Sequence, residues 1–319
     1  MNRYNKLSHY WKHVFGTRIQ KIPLDAGFDC PNRDGGISGS GCIFCNTRGS
    51  GTGLGCSGMS LQDQYLYWKS RLEIRYKGCR FAAYLQSFSN TYGPLSKLEH
   101  ALEQLMDLPE LAALCVGTRP DCLDPHKAGK LAGFPVRETW LELGLQSSDE
   151  GTLCLINRGH TADDFARACR LASAHGLRVC AHVIAGLPGE DLNNFLRTID
   201  FINRLPVHGI KFHNLYVCRH TTLAVWWSQG RYTPLSLREY SCWIAAAIGC
   251  LRPDITVHRL TGDPSGDELL APLWARGKNT VISTIHEILE TRDLRQGMNY
   301  QTTKSRENLS LAHQASSGI

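Results

Sequence analysis

A chain of 319 residues, 42% hydrophobic and 20% charged, is long enough to bury a sizeable core and has the composition of a soluble globular protein. No apolar run approaches the roughly 18–20 residues needed to span a bilayer, and the opening MNRYNKLSHYWKHVFG lacks the apolar centre of a signal peptide, so the expectation is a cytoplasmic protein that crosses no membrane. The 13 cysteines are odd in number and mostly lie in apolar stretches such as AALCVG and RVCAHV, which excludes a secreted disulfide framework.

The net charge of +6 is modest but unevenly placed. Residues 1–17 read as a basic, aromatic arm. From Met1 to Leu24 there are five cations (Arg3, Lys6, Lys12, Arg18, Lys21) and no acid, with Tyr4, Tyr10, Trp11 and Phe15 interleaved. Cations neutralise phosphates and aromatic rings stack on bases, so the arm is a candidate RNA contact. The alternative is a solvated surface whose aromatics anchor it to the domain.

RIQKIPLDAGF follows as a first strand and runs into GFDCPNRDGGISGSGCIFCNTRGSGTG, which carries Cys30, Cys42 and Cys45 in a Gly/Ser-rich loop. Three readings compete. A structural zinc takes four ligands, and Cys56 offers a fourth. A redox Cys-x-x-Cys pair opens a helix in a thioredoxin-like unit, a setting that Pro31 and the glycine run do not supply. An iron–sulfur cluster held by three thiolates leaves one iron open for chemistry. The loop alone leaves zinc and cluster level, since both favour thiolates.

Beyond the loop, strand and helix patterns alternate. RFAAYLQ reads as a strand, and GPLSKLEHALEQLM as a helix with Pro94 at its first position. LAALCVGT is the next strand, with a short helix from about Pro125, and TWLELGLQ the one after. The helix TADDFARACRLASAHG opens on Thr161 and Asp164 in capping-box positions and closes on Gly176. RVCAHVIAGL, a helix from Glu190 to about Leu205, and GIKFHNLYV complete the series. Apolar strands recurring about every 30 residues between helices predict a parallel sheet covered by helices. Six such strands are too few for a closed eight-fold barrel, so the fold class expected over 18–220 is α/β, a partial (β/α)6 TIM-like barrel.

Residues 221–292 form an expected C-terminal α/β extension. Its helix starts at the box Ser236-x-x-Glu239, its strand is ITVHRLTGD, and a last helix runs from about Lys278 to Glu290. The polar segment 293–319 is expected to be disordered.

In parallel α/β barrels functional groups gather at the C-terminal ends of strands. Here those ends read LQSFSN, GTRPDC, ELGLQS, IAGLPGE and NLYVCRH, a polar ring beside the cysteine loop. The phrases KIPLDAGFDCPNRDG, GCIFC, LELGLQS, NRGHT, GLPGE and HRLTGD together resemble the radical S-adenosylmethionine (SAM) enzymes. Within them they resemble a bacterial group related to the Elongator catalytic subunit, in which the first cysteine gap is longer than the usual three residues.

The resemblance implies that Cys30, Cys42 and Cys45 hold a [4Fe–4S] cluster whose open iron chelates SAM, with a flavodoxin or ferredoxin as electron donor. It places Phe44 near the adenine, Gln146 and Arg158 against SAM, and Gly186 and Gly189 where backbone approaches the nucleoside. The usual Gly-Gly-Glu motif for the amino group is missing. QSFSN stands there, making Ser87 and Asn90 the candidates. An acidic residue used elsewhere before the GLPGE turn is replaced by His182. Cys122, Asp121, Tyr216 and Cys218, at strand ends, are candidates for substrate radical or proton steps. Arg259 is a candidate phosphate contact, or a salt-bridge partner of Asp263 or Asp267. The activity implied is reductive SAM cleavage to a 5′-deoxyadenosyl radical, with tRNA, at the side chain of the wobble uridine, as substrate. The alternatives are a small anionic metabolite as substrate, or a non-catalytic zinc- or cluster-stabilised RNA-binding protein.

Overall fold

The computed structural model of the chain describes residues 2–46, 58–264 and 267–300; Cys56 lies outside them. Six strands lie side by side in sequence order, every neighbouring pair parallel: β1 (Ile19–Leu24), β2 (Arg80–Leu85), β3 (Leu111–Thr118), β4 (Glu138–Gln146), β5 (Arg178–Ala185) and β6 (Gly209–Asn214). The helices in this part are α1 (Leu7–Phe15), α2 (Leu61–Arg75), α3 (Leu95–Glu103), α4 (Pro125–Ala132), α5 (Glu150–Leu155), α6 (Ala162–Ala174) and α7 (Leu192–Asn203).

After β6 come β7 (Val217–Cys218), α8 (Thr222–Ser228), α9 (Leu237–Cys250), β8 (Thr256–Arg259), β9 (Leu269–Ala271) and α10 (Lys278–Thr291). The strand expected in a separate extension, β8, instead pairs parallel with β6 and makes the sheet seven-stranded. The physical reason is the free edge of β6, whose unpaired backbone groups β8 covers. β7 and β9 form a small antiparallel pair of their own.

Helix ends follow local chemistry. Capping boxes are formed at Thr161/Asp164 and Ser236/Glu239, and a further one at Asp191/Asn194 starts α7 just after the expected Glu190. Pro94 caps α3 from outside, in extended conformation, rather than occupying its first turn.

The strands are buried on both faces, as parallel strands are. On β4, Leu141, Leu143 and Leu145 join the core shared with the helices, whereas Trp140 belongs to a second, inner core. Lys21 on β1 and His258 on β8 both reach Glu142 on the middle strand β4, at 2.5 and 4.0 Å. Strands at the two edges meet a residue of the central one only if the sheet curls around its inner face. The result is an open barrel with β1 and β8 as its edges.

One end of this barrel is plugged by α1. Leu7 and Trp11 pack with Ile19, Ala82, Cys115 and Trp140. Tyr10 donates its hydroxyl to Glu138, Trp11 and Trp140 donate their indole N–H to the same carboxylate at 3.2 and 2.9 Å, and Arg178 pairs with it at 3.0 Å. Of the aromatics that made the arm a candidate RNA contact, Tyr4 and Trp11 are therefore spent on the interior. They anchor the arm and offer no stacking face.

The first part of the expected disordered tail is held in place. Gln296 donates its backbone N–H to Arg3 O, accepts from Asn5 N at Oε1, and gives its amide to the carbonyls of Arg252 and Ile255. These bonds satisfy buried backbone groups that disorder would leave unpaired. Residues 301–319 lie outside the described residues.

Candidate functional site

The described part of the cysteine loop, residues 27–46, lies at the C-terminal ends of the strands and is gripped by the segment after α5. Asn32, fully buried, donates from Nδ2 to Asn157 O at 2.5 Å and to Cys42 Sγ at 3.6 Å. Asn157 donates back to Gly41 O at 2.6 Å, and the backbone N–H of Ile43 donates to Ile156 O. From the other side, the N–H of Leu223 in α8 donates to Ile43 O at 2.8 Å. The loop is thus built into the domain, not hung from it.

Cys30, Cys42 and Cys45 line one cavity at the barrel mouth. Arg158 is buried beside them. Its Nη1 donates to Cys42 Sγ at 3.6 Å and its Nη2 to Gly144 O at 2.9 Å, while Nε has no partner. Two N–H groups, one of them on a cation, are thus directed at a single sulfur. Burial, reinforced by Cys42, pushes the Cys45 thiol up to about 11, so a charged sulfur there calls for a metal centre to hold it. Among the described residues no three His, Cys, Asp or Glu side chains gather to hold one metal ion. Three thiols on one cavity, with the Arg158 guanidinium at one of them, are the donor chemistry that an iron–sulfur cluster takes.

Gly144 makes this arrangement possible. A Cβ there would stand 2.5 Å from Arg158 Nη2 and 2.7 Å from Gln146 Nε2, closer than real contacts allow. Gly144→Ala is expected to push Arg158 off Cys42 and to lower the stability of a reconstituted cluster about 10–100-fold, the range for losing an outer-shell partner, measured by chelator-challenged iron loss. A cluster as long-lived as that of the unaltered protein would show that Arg158 is not its support.

Below the mouth, the inner wall holds charge. Glu142, fully buried, is met by Lys21 at 2.5 Å, by Lys211, and by His182 at 3.0 Å. Burial works against its charge, yet Lys21 and Lys211 outweigh burial and hold its carboxyl well below the ordinary range. Burial, then the charge of Lys211, lowers His182 to about 4. Its Nε2 therefore carries the proton and donates to Glu142. A histidine whose folded pKa lies below its unfolded value of about 6.5 binds fewer protons folded than unfolded between those values. Its contribution to stability thus falls as pH drops from about 6.5 toward about 4. A His182→Asn variant is expected to lose less stability across that window in urea titrations; an unchanged slope would exclude His182 as its source.

The sequence-derived candidates divide in two. Phe44, Gln146, Arg158, Tyr216 and Cys218 line the central cavity with the three cysteines. Tyr216 and Cys218 are raised to about 12 and about 11, chiefly by burial. The remaining six line no wall of it. Asn90 Nδ2 donates to the carbonyls of Leu85, Ser87 and Gly117, and so shapes the turn after β2, while Gln86, Phe88 and Ser89 face the cavity. Ser87 is buried with its hydroxyl unpartnered. Gly186, at φ +86°, sits where a Cβ would meet Leu235 at 3.0 Å, and its carbonyl accepts from Tyr232; Gly189 shares its turn. Asp121 is taken by Arg119, in a two-bond pair at 2.9 and 2.8 Å, and with Cys122 lines a separate surface depression. Arg119 in turn donates to Arg158 O and faces the cavity. Arg259 bonds to neither Asp263 nor Asp267: its Nη2 donates to His213 Nδ1 at 2.8 Å, and Asp263 pairs with Lys278.

Tyr84, Glu142, Lys211 and His213, not among the residues expected from the sequence, also line the cavity wall. A signal was present. In LELGLQ and IKFHN, apolar residues turned to the helices alternate with Glu142 and with Lys211 and His213, and a polar residue every second position in a doubly buried strand faces the lumen.

The Radical SAM superfamily profile matches residues 36–202, and that of the Radical_SAM C-terminal domain matches residues 207–291. YtqA of Bacillus subtilis is 35% identical over 300 residues, which are 94% of this chain and 93% of that protein. A tRNA uridine(34) acetyltransferase of Dehalococcoides mccartyi is 30% identical over 200 residues, 60% of this chain but only 42% of the relative. Among solved structures, the archaeal Methanocaldococcus infernus Elp3 with an N-terminal deletion superposes with a TM-score of 0.69 over 87% of this chain and 64% of its own, at 18% identity. At that identity the likeness is one of fold.

Proposed function

The chain belongs to the Radical SAM superfamily, and from that premise we propose that it cleaves SAM reductively to modify the side chain of a wobble uridine in tRNA. The observation that carries the first half is the trio Cys30, Cys42 and Cys45 on one cavity wall, with Arg158 and Asn32 N–H groups directed at Cys42 Sγ. When bound, the cluster and SAM supply one-electron cleavage of the sulfonium and a 5′-deoxyadenosyl radical able to take a hydrogen atom from substrate. A small one-electron protein such as a flavodoxin or ferredoxin is the natural donor.

The chain's own residues bind, orient and exclude water. The three thiolates would hold the cluster at the cavity they line. Arg158, whose Nε has no partner among the described residues, offers that N–H and its charge to the SAM carboxylate. Phe44 and Tyr216 flank a side pocket, closed by Gln146 and Ile184, suited to a flat adenine. Arg119, locked by Asp121, fixes the segment that carries Arg158.

The tRNA half rests on the relative named as a tRNA uridine(34) acetyltransferase. It is supported by cations at the open edge of the barrel, where Lys6, Arg18, Lys21 and Lys278 line a second cavity. The test is nucleoside analysis of total tRNA from a strain lacking the protein, beside 5′-deoxyadenosine formation by the purified, reduced enzyme. A changed wobble-uridine profile is expected. An unchanged profile with SAM cleavage intact would move the substrate to a small metabolite.

A further inference from the structure

The lumen contains more fixed positive charge than it neutralises. Lys21 and Lys211 share one carboxylate, Glu142. Among the described residues Arg259 has only the neutral imidazole of His213 as a side-chain acceptor. An arginine can only donate, so His213 Nδ1 accepts and its proton sits on Nε2. Burial, with Arg259 alongside, holds His213 far below its usual pKa and keeps it neutral. Both His213 Nε2–H and Arg259 Nε–H are buried with no partner among the described residues, and Lys211 and Arg259 line the wall shared by the central cavity and the open-edge cavity. The acid on that shared wall, Asp263, is half exposed and paired with Lys278 at 2.6 Å.

Buried donors left unpaired beside surplus cations are costly unless an acceptor arrives. The cluster-side residues account for none of them, since Arg158 and Asn32 serve Cys42. We propose that Arg259, His213 and Lys211 form an anion-recognition subsite in the barrel lumen, which takes a carboxylate or phosphate of the substrate and sets it opposite the cysteine loop. This rests on the radical SAM reading for the identity of the opposite wall, and it narrows the substrate to one that carries an anionic group into the lumen. A neutral substrate would leave two donors and a net charge of two uncompensated. Tyr84, whose hydroxyl accepts from Lys211 Nζ at 3.1 Å, keeps that ammonium turned into the cavity and makes it a positioning residue.

The experiment is calorimetric titration of the reconstituted, SAM-bound protein with inorganic phosphate and, separately, with acetate, in buffers matched in ionic strength with chloride. One of the two is expected to bind saturably, one per chain, and the one preferred identifies the source of the anion. Arg259→Gln is expected to weaken that binding at least about tenfold, as loss of a charge-assisted bond does. Arg259→Lys should restore most of it, and Arg167→Gln, an exposed change on α6, should leave it as it was. Circular dichroism confirms that each variant is folded. Saturable binding of neither anion, or equal affinity in Arg259→Gln, overturns the subsite. Failure of the radical SAM reading is seen separately, as no cluster and no SAM cleavage in the unaltered protein. In that event the same titration on the purified chain still decides whether the lumen takes an anion.

Discussion

Alanine at Cys30, Cys42 or Cys45 is expected to abolish cluster assembly and, with it, SAM cleavage. The three thiols line one wall, and a cluster that already lacks one protein ligand does not survive the loss of a second. Iron and sulfide content after anaerobic reconstitution, together with 5′-deoxyadenosine production, measure the two consequences. Cys122→Ala is the useful contrast: Cys122 lines a separate surface depression and not the cavity of the trio, so its removal should leave the iron content unchanged. The rival is a closed zinc site completed by Cys56. Stoichiometric zinc that disappears in Cys56→Ala, with no iron taken up, would decide for it and sink the enzyme reading.

Glu142→Ala should cost about 3–5 kcal/mol of stability, the usual penalty for removing one partner of a buried ion pair. The change strands Lys21 and Lys211 in the lumen without their shared counter-charge. The pH dependence gives the effect a signature. In the unaltered protein Lys211 is lowered to about 8, burial outweighing the pull of Glu142, against about 10.4 unfolded. Between those values the unfolded chain holds more protons, so this group adds stability as pH rises. Without Glu142 the folded pKa falls further and the window opens at lower pH. The deficit of the variant should therefore shrink between pH 7 and pH 9 in urea denaturation. The carboxylate itself works in the opposite range. Its folded pKa is depressed, so its contribution is complete above the unfolded value of about 4.3 and is lost as pH falls below it. A deficit in Glu142→Ala that stays constant with pH would refute the account of the lumen as a cation trap.

Local signals carried most of the fold. Thr161 with Asp164, and Ser236 with Glu239, announced helix starts that hydrogen bonds then formed. Runs such as LAALCVGT declared strands buried on both sides because no alternation interrupted them. The seventh strand was visible as TVHR, but its membership in the sheet was not. Pairing of β8 with β6 is set by a crossover through α9 and by the vacant edge it fills, neither of which has a local signature. The site divides along the same line. The trio of cysteines was legible because thiols spaced in a polar loop have few other uses. Ser87, Asn90 and Asp121 line no wall of the central cavity, because polar residues at strand ends also satisfy turns and hold arginines. Glu142 and Lys211 went unread because a charge inside a strand makes sense only beside its partner from another strand, and sequence spacing does not disclose which strands meet.

The clasp between the segments around residues 5 and 296 bears on how the molecule is made. The backbone of Asn5 gives its carbonyl to Val257 and its N–H to Gln296, and Arg3 pairs with Asp293 at 2.8 Å. A chain leaving the ribosome therefore presents its cysteine loop and six of its seven strands before the partners of this early segment have been synthesised. The side of the barrel between β1 and β8 is completed only with β8, whose Arg259 supplies part of the cavity wall. The cysteines and two of the lumen cations, Lys21 and Lys211, are thus synthesised before residues 256–296, which bring the third, Arg259.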